Sequence, residues 1–157
     1  MVAHAPAGAG IVPGMAPFRK LTVWKKAHEL VLRVYEATAD LSDRKHPGLA
    51  AQLRTAAAAV AARIVEGSGR DSPGEFAEFL DVALRRAREL DYHLLLAADL
   101  GALGRSDYAR LNARIDQVCR MLAALRKTVQ ERTGLPRPPT PARRRPSSGA
   151  AAPARPS

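Results

Sequence analysis

Apolar residues recur along most of this chain at helical spacing, in four stretches separated by short polar or glycine-bearing breaks. In the first, Val23, Ala27, Leu30, Val31, Val34, Thr38 and Leu41 share a stripe, which predicts a helix from about Val23 to Asp40 with Thr22 as N-cap. In the second, Leu53, Ala56, Ala57, Val60 and Ile64 follow Pro47, a residue accepted in a first turn, and lead to Gly67, which suits a helix end. The third has the clearest start. Ser72, Pro73 and Glu75 supply a capping serine, a first-turn proline and a glutamate at the third helical position. Its stripe runs from Phe76 through Phe79, Leu80, Ala83, Leu84, Ala87, Leu90 and Leu94 to Ala98, and Leu100-Gly101 closes it. The fourth is expected to be capped by Ser106-Asp107, to carry Leu111, Ile115, Val118, Leu122, Leu125 and Val129, and to end before Gly134.

Connections of a few residues between long helices imply antiparallel neighbours. The pattern therefore predicts an all-α, up-down-up-down antiparallel four-helix bundle over residues 18–133. A disordered arm at 1–17 is expected before it and a disordered Arg/Pro-rich tail at 134–157 after it. The tail holds seven prolines and three consecutive arginines, too little apolar surface to fold alone.

Composition agrees with helices. Aromatics are only 4% of the chain, and alanine dominates an apolar fraction of 46%, which favours close helix packing over a sheet. Cys119 is the single cysteine, which excludes an internal disulfide and a cysteine-based metal cluster and points to a reducing cytoplasm. The first seventeen residues contain no Lys or Arg and are broken by proline and glycine, unlike a signal peptide; Met15 is an alternative start. No stretch approaches the roughly twenty apolar residues of a membrane span.

The formal net charge is +10, and half of that excess is in the tail, which has five arginines (Arg137, Arg143, Arg144, Arg145, Arg155) and no acid. The bundle is thus mildly basic, which allows nucleic-acid contact and equally suits solvated helices. Arg54, Arg63, Arg70, Arg85, Arg86, Arg88, Arg110 and Arg114 are the candidate phosphate contacts. No RNA-recognition or helix-turn-helix signature indicates base-specific readout.

No catalytic constellation is evident. Glu66-Gly67-Ser68-Gly69-Arg70 lacks the Gly-Lys-Ser/Thr of a P-loop, and its glycines are read as turning the chain while Glu66 and Arg70 pair with neighbours. Glu89 and His93 share a face, but the second Glu/His helix of a di-iron bundle is missing, so no metal or other cofactor is expected. Cys119 has no evident base. Trp24 and Tyr35 beside the first stripe, and Leu95 and Leu96 off the third, offer surplus apolar surface more useful to an oligomer than to a monomer.

Three segments taken in order, residues 18–27 (FRKLTVWKKA), 52–57 (QLRTAA) and 64–70 (IVEGSGR), followed by Glu75-Phe76, Phe79-Leu80 and Glu89-Leu90, resemble the bacterial four-helix-bundle family. That family includes proteins encoded within intervening sequences of 23S ribosomal RNA genes. It is similar in fold to the accessory variability protein of diversity-generating retroelements. The resemblance implies a homopentamer with a basic surface, binding RNA or DNA, with a reverse transcriptase as partner if the gene is retroelement-linked. Gln52, Arg54, Glu66, Gly67, Gly69, Arg70 and Glu89 belong to the shared motif. The chain departs from the family's usual pattern at Arg85-Arg86, where a Gly-Ser pair is common, and at Ala61-Ala62-Arg63, where Pro and Asn are common. The expectation is a non-enzymatic oligomer that binds structured RNA through its phosphates; the alternative is a protein-interaction scaffold without a nucleic-acid role.

Overall fold

The structure, a computed structural model, describes residues 17–134; the expected arm and tail, apart from Pro17 and Gly134, lie outside the described residues. A 3-10 turn at Phe18–Lys20 leads into four α-helices: α1 Thr22–Ala37, α2 Leu49–Ser68, α3 Pro73–Asp99 and α4 Arg105–Thr133. No strand occurs among the described residues.

All four apolar stripes converge on one core. Val23, Ala27, Leu30 and Val34 of α1 meet Leu53, Ala57, Val60 and Ile64 of α2, Phe76, Leu80, Leu90 and Leu94 of α3, and Ile115, Val118 and Leu122 of α4. Burying each large side chain stabilises the fold by about 1.5–3 kcal/mol relative to exposure. The helices form a ring: α1 and α3 each pack on α2 and α4. The cross-helix contacts join ends to starts. Arg54, early in α2, reaches Thr38 just past α1; Gly67, late in α2, meets Phe76 and Phe79 early in α3; Asp81, early in α3, pairs with Arg126 late in α4 at 2.9 Å.

The helix ends depart from the sequence reading by a few residues, each for a local reason. Thr22 lies inside α1, not before it. At the other end, α1 stops at Ala37 and not near Asp40, because Thr38 is buried, its hydroxyl donates to the Val34 carbonyl at 2.8 Å, and Arg54 takes its own carbonyl. Pro47 precedes α2, whose start falls after Gly48; that residue adopts φ 75° and donates its N–H to Asp43 Oδ1 at 2.8 Å. Ser72 does sit at the N-cap of α3, but through its carbonyl, which accepts from the Phe76 N–H at 3.0 Å; its hydroxyl makes no capping bond. The end of α3 is a Schellman motif: Gly101 at φ 68° donates to Ala98 O, and Ala102 donates to Ala97 O at 2.9 Å. Gly104, not Ser106-Asp107, caps α4. Its carbonyl accepts from Tyr108, while Asp107 sits in the first turn, where a carboxylate is favoured, and pairs with Arg110.

Gly67 corrects the reading of the Glu66–Arg70 segment. It is not a turn residue; it is buried inside α2, where a Cβ would fall 2.6 Å from Phe79 Cβ and 2.9 Å from the Phe76 ring. Its missing side chain lets α3 approach, and the chain turns just beyond it, at Gly69–Asp71.

Candidate nucleic-acid interface

The eight candidate arginines do not form one surface. The structure distributes them over four settings, and their partners differ in each.

Arg54 is part of the scaffold. Its Nε donates to Thr38 Oγ1 at 2.9 Å, its Nη2 to Thr38 O at 3.0 Å, and its guanidinium lies 5.0 Å from the centre of the Tyr35 ring. Arg70 likewise covers the half-buried Phe79 ring at 4.8 Å.

Arg63 and Arg86 line a groove between α2 and α3 together with Gln52, Thr55, Glu89 and His93. Each pairs along its own helix, Arg63 with Glu66 and Arg86 with Glu89 at 2.7 Å. The expected pairing of Glu66 with a neighbouring charge is thus present. Arg63 Nε and His93 Nδ1 are buried here without a hydrogen-bond partner. His93 Nε2 stands 3.9 Å from Glu89 Oε1, and among the described residues no group of three potential metal ligands forms.

Arg110 and Arg114 line the groove between α1 and α4, where Arg33 is matched by Glu36, Asp40 and Asp107. Arg33 pairs with Glu36 and Arg110 with Asp107, while Arg114 lies 3.9 Å from Glu29. The Lys26 ammonium donates to Glu29, and with Arg114 and Arg33 nearby it lowers that carboxyl below its ordinary pKa. Three arginines and three acids make this groove close to neutral.

Arg85 and Arg88 differ from the other six. They lie three residues apart on the outer side of α3, both exposed, and among the described residues neither pairs with an acid, as Arg63, Arg86, Arg110 and Arg114 do, nor lies on an aromatic ring, as Arg54 and Arg70 do. The structure also separates Arg85 from Arg86, adjacent in sequence, because Arg86 turns toward α2. Arg88 acts electrostatically on Cys119 of α4, a half-buried thiol. Burial pushes its pKa up, Arg88 pulls it partly back, and Asp116 and Asp91 raise it further.

Of the surplus apolar residues, Trp24 is half-buried, with its ring 4.8 Å from Phe18 and stacked at 5.2 Å on His28. Tyr35 and Leu95 are exposed, and Leu96 is half-buried. Gly69 follows α2 as its C-cap. Sequence reasoning missed Leu32 and Tyr92, which are 50% and 61% exposed. Tyr92 could have been found by its register, since it stands opposite the Leu90 and Leu94 stripe and seven residues from Arg85.

The fold defines an all-α, four-helix protein, and none of its described helices is long and apolar enough to cross a membrane. The chain belongs to the 23S rRNA-intervening sequence protein family, whose model matches residues 19–124. Among solved structures it is similar to a protein of unknown function from the S23 ribosomal protein family of Bacteroides thetaiotaomicron VPI-5482. The two are 23% identical, the match covers 67% of this chain and 95% of that one, and the TM-score is 0.62, a likeness that speaks to the fold. No curated protein matches the chain.

Proposed function

We propose that this chain is a non-enzymatic, self-associating cytoplasmic protein that binds structured RNA through phosphate contacts without strong sequence preference. The observation that carries the reading is the pair Arg85 and Arg88, exposed on α3 and without acid partners among the described residues, in a family whose name ties it to 23S rRNA. A guanidinium already paired with a carboxylate gains less from a phosphate than one that is not, so these two are the first phosphate contacts to consider. The end-to-start contacts between successive helices support the antiparallel, up-down-up-down order. Self-association, as a homopentamer by the resemblance, is assigned to α1, which carries the half-exposed Leu32 and Tyr35 and the half-buried Trp24.

The test is to titrate the full chain with structured RNA and with duplex DNA at low and moderate salt while light scattering records its mass. The reading expects RNA binding that weakens steeply with salt and a mass near five protomers. Absence of binding at low salt would favour a protein-interaction scaffold, a role that the neutral α1–α4 groove would suit.

A further inference from the structure

Two tyrosines stand out on the surface, and their surroundings differ. Tyr35 already has the Arg54 guanidinium against its ring. Tyr92, 61% exposed, has the His93 ring 5.7 Å away and tilted by 52°, and among the described residues no cation lies over its ring. A single exposed tyrosine is ordinary. Tyr92 is set apart by register, because Arg85, Arg88 and Tyr92 stand at i, i+3 and i+7 and therefore share the outer face of α3, with Leu95 a further turn along. Tyr92 adds an open aromatic ring to a face whose two cations have no acid partners among the described residues.

We infer that Tyr92 is a base-stacking residue and that the α3 face takes an unpaired segment of RNA, with Arg85 and Arg88 on its phosphates and one base on the Tyr92 ring. This rests on the RNA-binding reading above and names the form of RNA. A base in a duplex has its faces covered by its neighbours, whereas a base in a loop or single strand offers a free face that an aromatic side chain covers. Stacking accepts any base, which agrees with the absence of a sequence-reading motif. A second copy of the chain is the less suitable occupant, because a face with two unpaired cations is costly to bury against protein unless acids meet it.

The experiment measures anisotropy of a labelled 12-nucleotide single-stranded RNA, a fully paired RNA hairpin and a single-stranded DNA of the same sequence, using the full chain and the variants Tyr92→Ala and Tyr92→Phe. Tyr92→Ala should weaken single-strand RNA binding roughly tenfold. Tyr92→Phe should bind like the parent, because the ring and not the hydroxyl stacks. The hairpin affinity and the salt slope should stay unchanged in both variants, since no phosphate contact is lost. If Tyr92→Ala binds single-stranded RNA as the parent does, the stacking assignment is wrong while the RNA-binding reading stands. If the parent binds none of the three probes, both fall. Tighter binding of the DNA strand overturns the choice of RNA, and a lower mass of Tyr92→Ala in light scattering overturns the assignment by placing Tyr92 between subunits.

Discussion

The corner where α1 meets α2 and the outer face of α3 both present arginines, and the two regions use them in opposite ways. At the corner, Arg54 spends two donors on Thr38 and its flat face on Tyr35, so its charge serves the end of α1. On α3, Arg85 and Arg88 are exposed and, among the described residues, form no ion pair with an acid. Net charge is blind to this difference. A formal +10 counts both regions alike, whereas binding a polyanion depends on the cations that remain unpartnered after folding.

The largest expected effect lies at the corner. Arg54→Ala leaves the buried Thr38 without its donors and should lower unfolding stability by about 2–3 kcal/mol in a urea titration. Arg54→Lys should recover little, because an ammonium cannot reproduce the fork that spans Thr38 Oγ1 and O. A change below about 0.5 kcal/mol would erase the contrast between the two regions. Gly67→Ala comes next. The added methyl must displace Phe79 Cβ, a cost of about 1–3 kcal/mol that exceeds the roughly 1 kcal/mol alanine gains in a helix, so the melting temperature should fall by a few degrees.

Cys119 probes the surroundings of Arg88 with a smaller readout. Because burial raises the thiol pKa, alkylation near pH 8 should be slower than for a free cysteine and should reach the free rate in urea. The sign for stability follows. A thiol whose folded pKa is raised contributes stability that is present below its unfolded pKa and lost as pH rises through the folded one. Cys119→Ala should therefore flatten the decline on the alkaline side. Arg88→Gln should slow alkylation further, since it removes the charge that favours the thiolate. The smallest stability effect belongs to Arg85→Gln with Arg88→Gln, within about 0.5 kcal/mol of the parent by urea unfolding.

The four stripes were legible in the sequence because helical periodicity survives whatever a helix packs against: Leu30, Leu53, Leu90 and Leu122 all lie in the core where their register put them. Helix ends were less legible. The stop at Ala37 depends on Arg54, sixteen residues beyond Thr38, and the cap of α4 on a glycine carbonyl, and neither has a local signature. Gly67 shows a related limit, because a glycine needed for close packing and one needed for a turn look the same in a sequence. Candidate arginines could be named by type. Their sorting into Arg54 at the corner, Arg110 beside Asp107, and Arg85 in the open required cross-helix geometry.

On the proposed function, the exposed arginines of α3, and not the paired arginines of the α1–α4 groove, contact RNA. The direct measurement compares Arg85→Gln/Arg88→Gln with Arg110→Gln/Arg114→Gln in affinity for one structured RNA across a salt series. Each pair removes the same charge. The α3 variant should bind at least tenfold more weakly and lose about 1.4–1.8 from the logarithmic salt slope, the share of two phosphate contacts, while the groove variant should stay near the parent. Equal losses in the two variants, or a larger loss in the groove variant, would contradict the account.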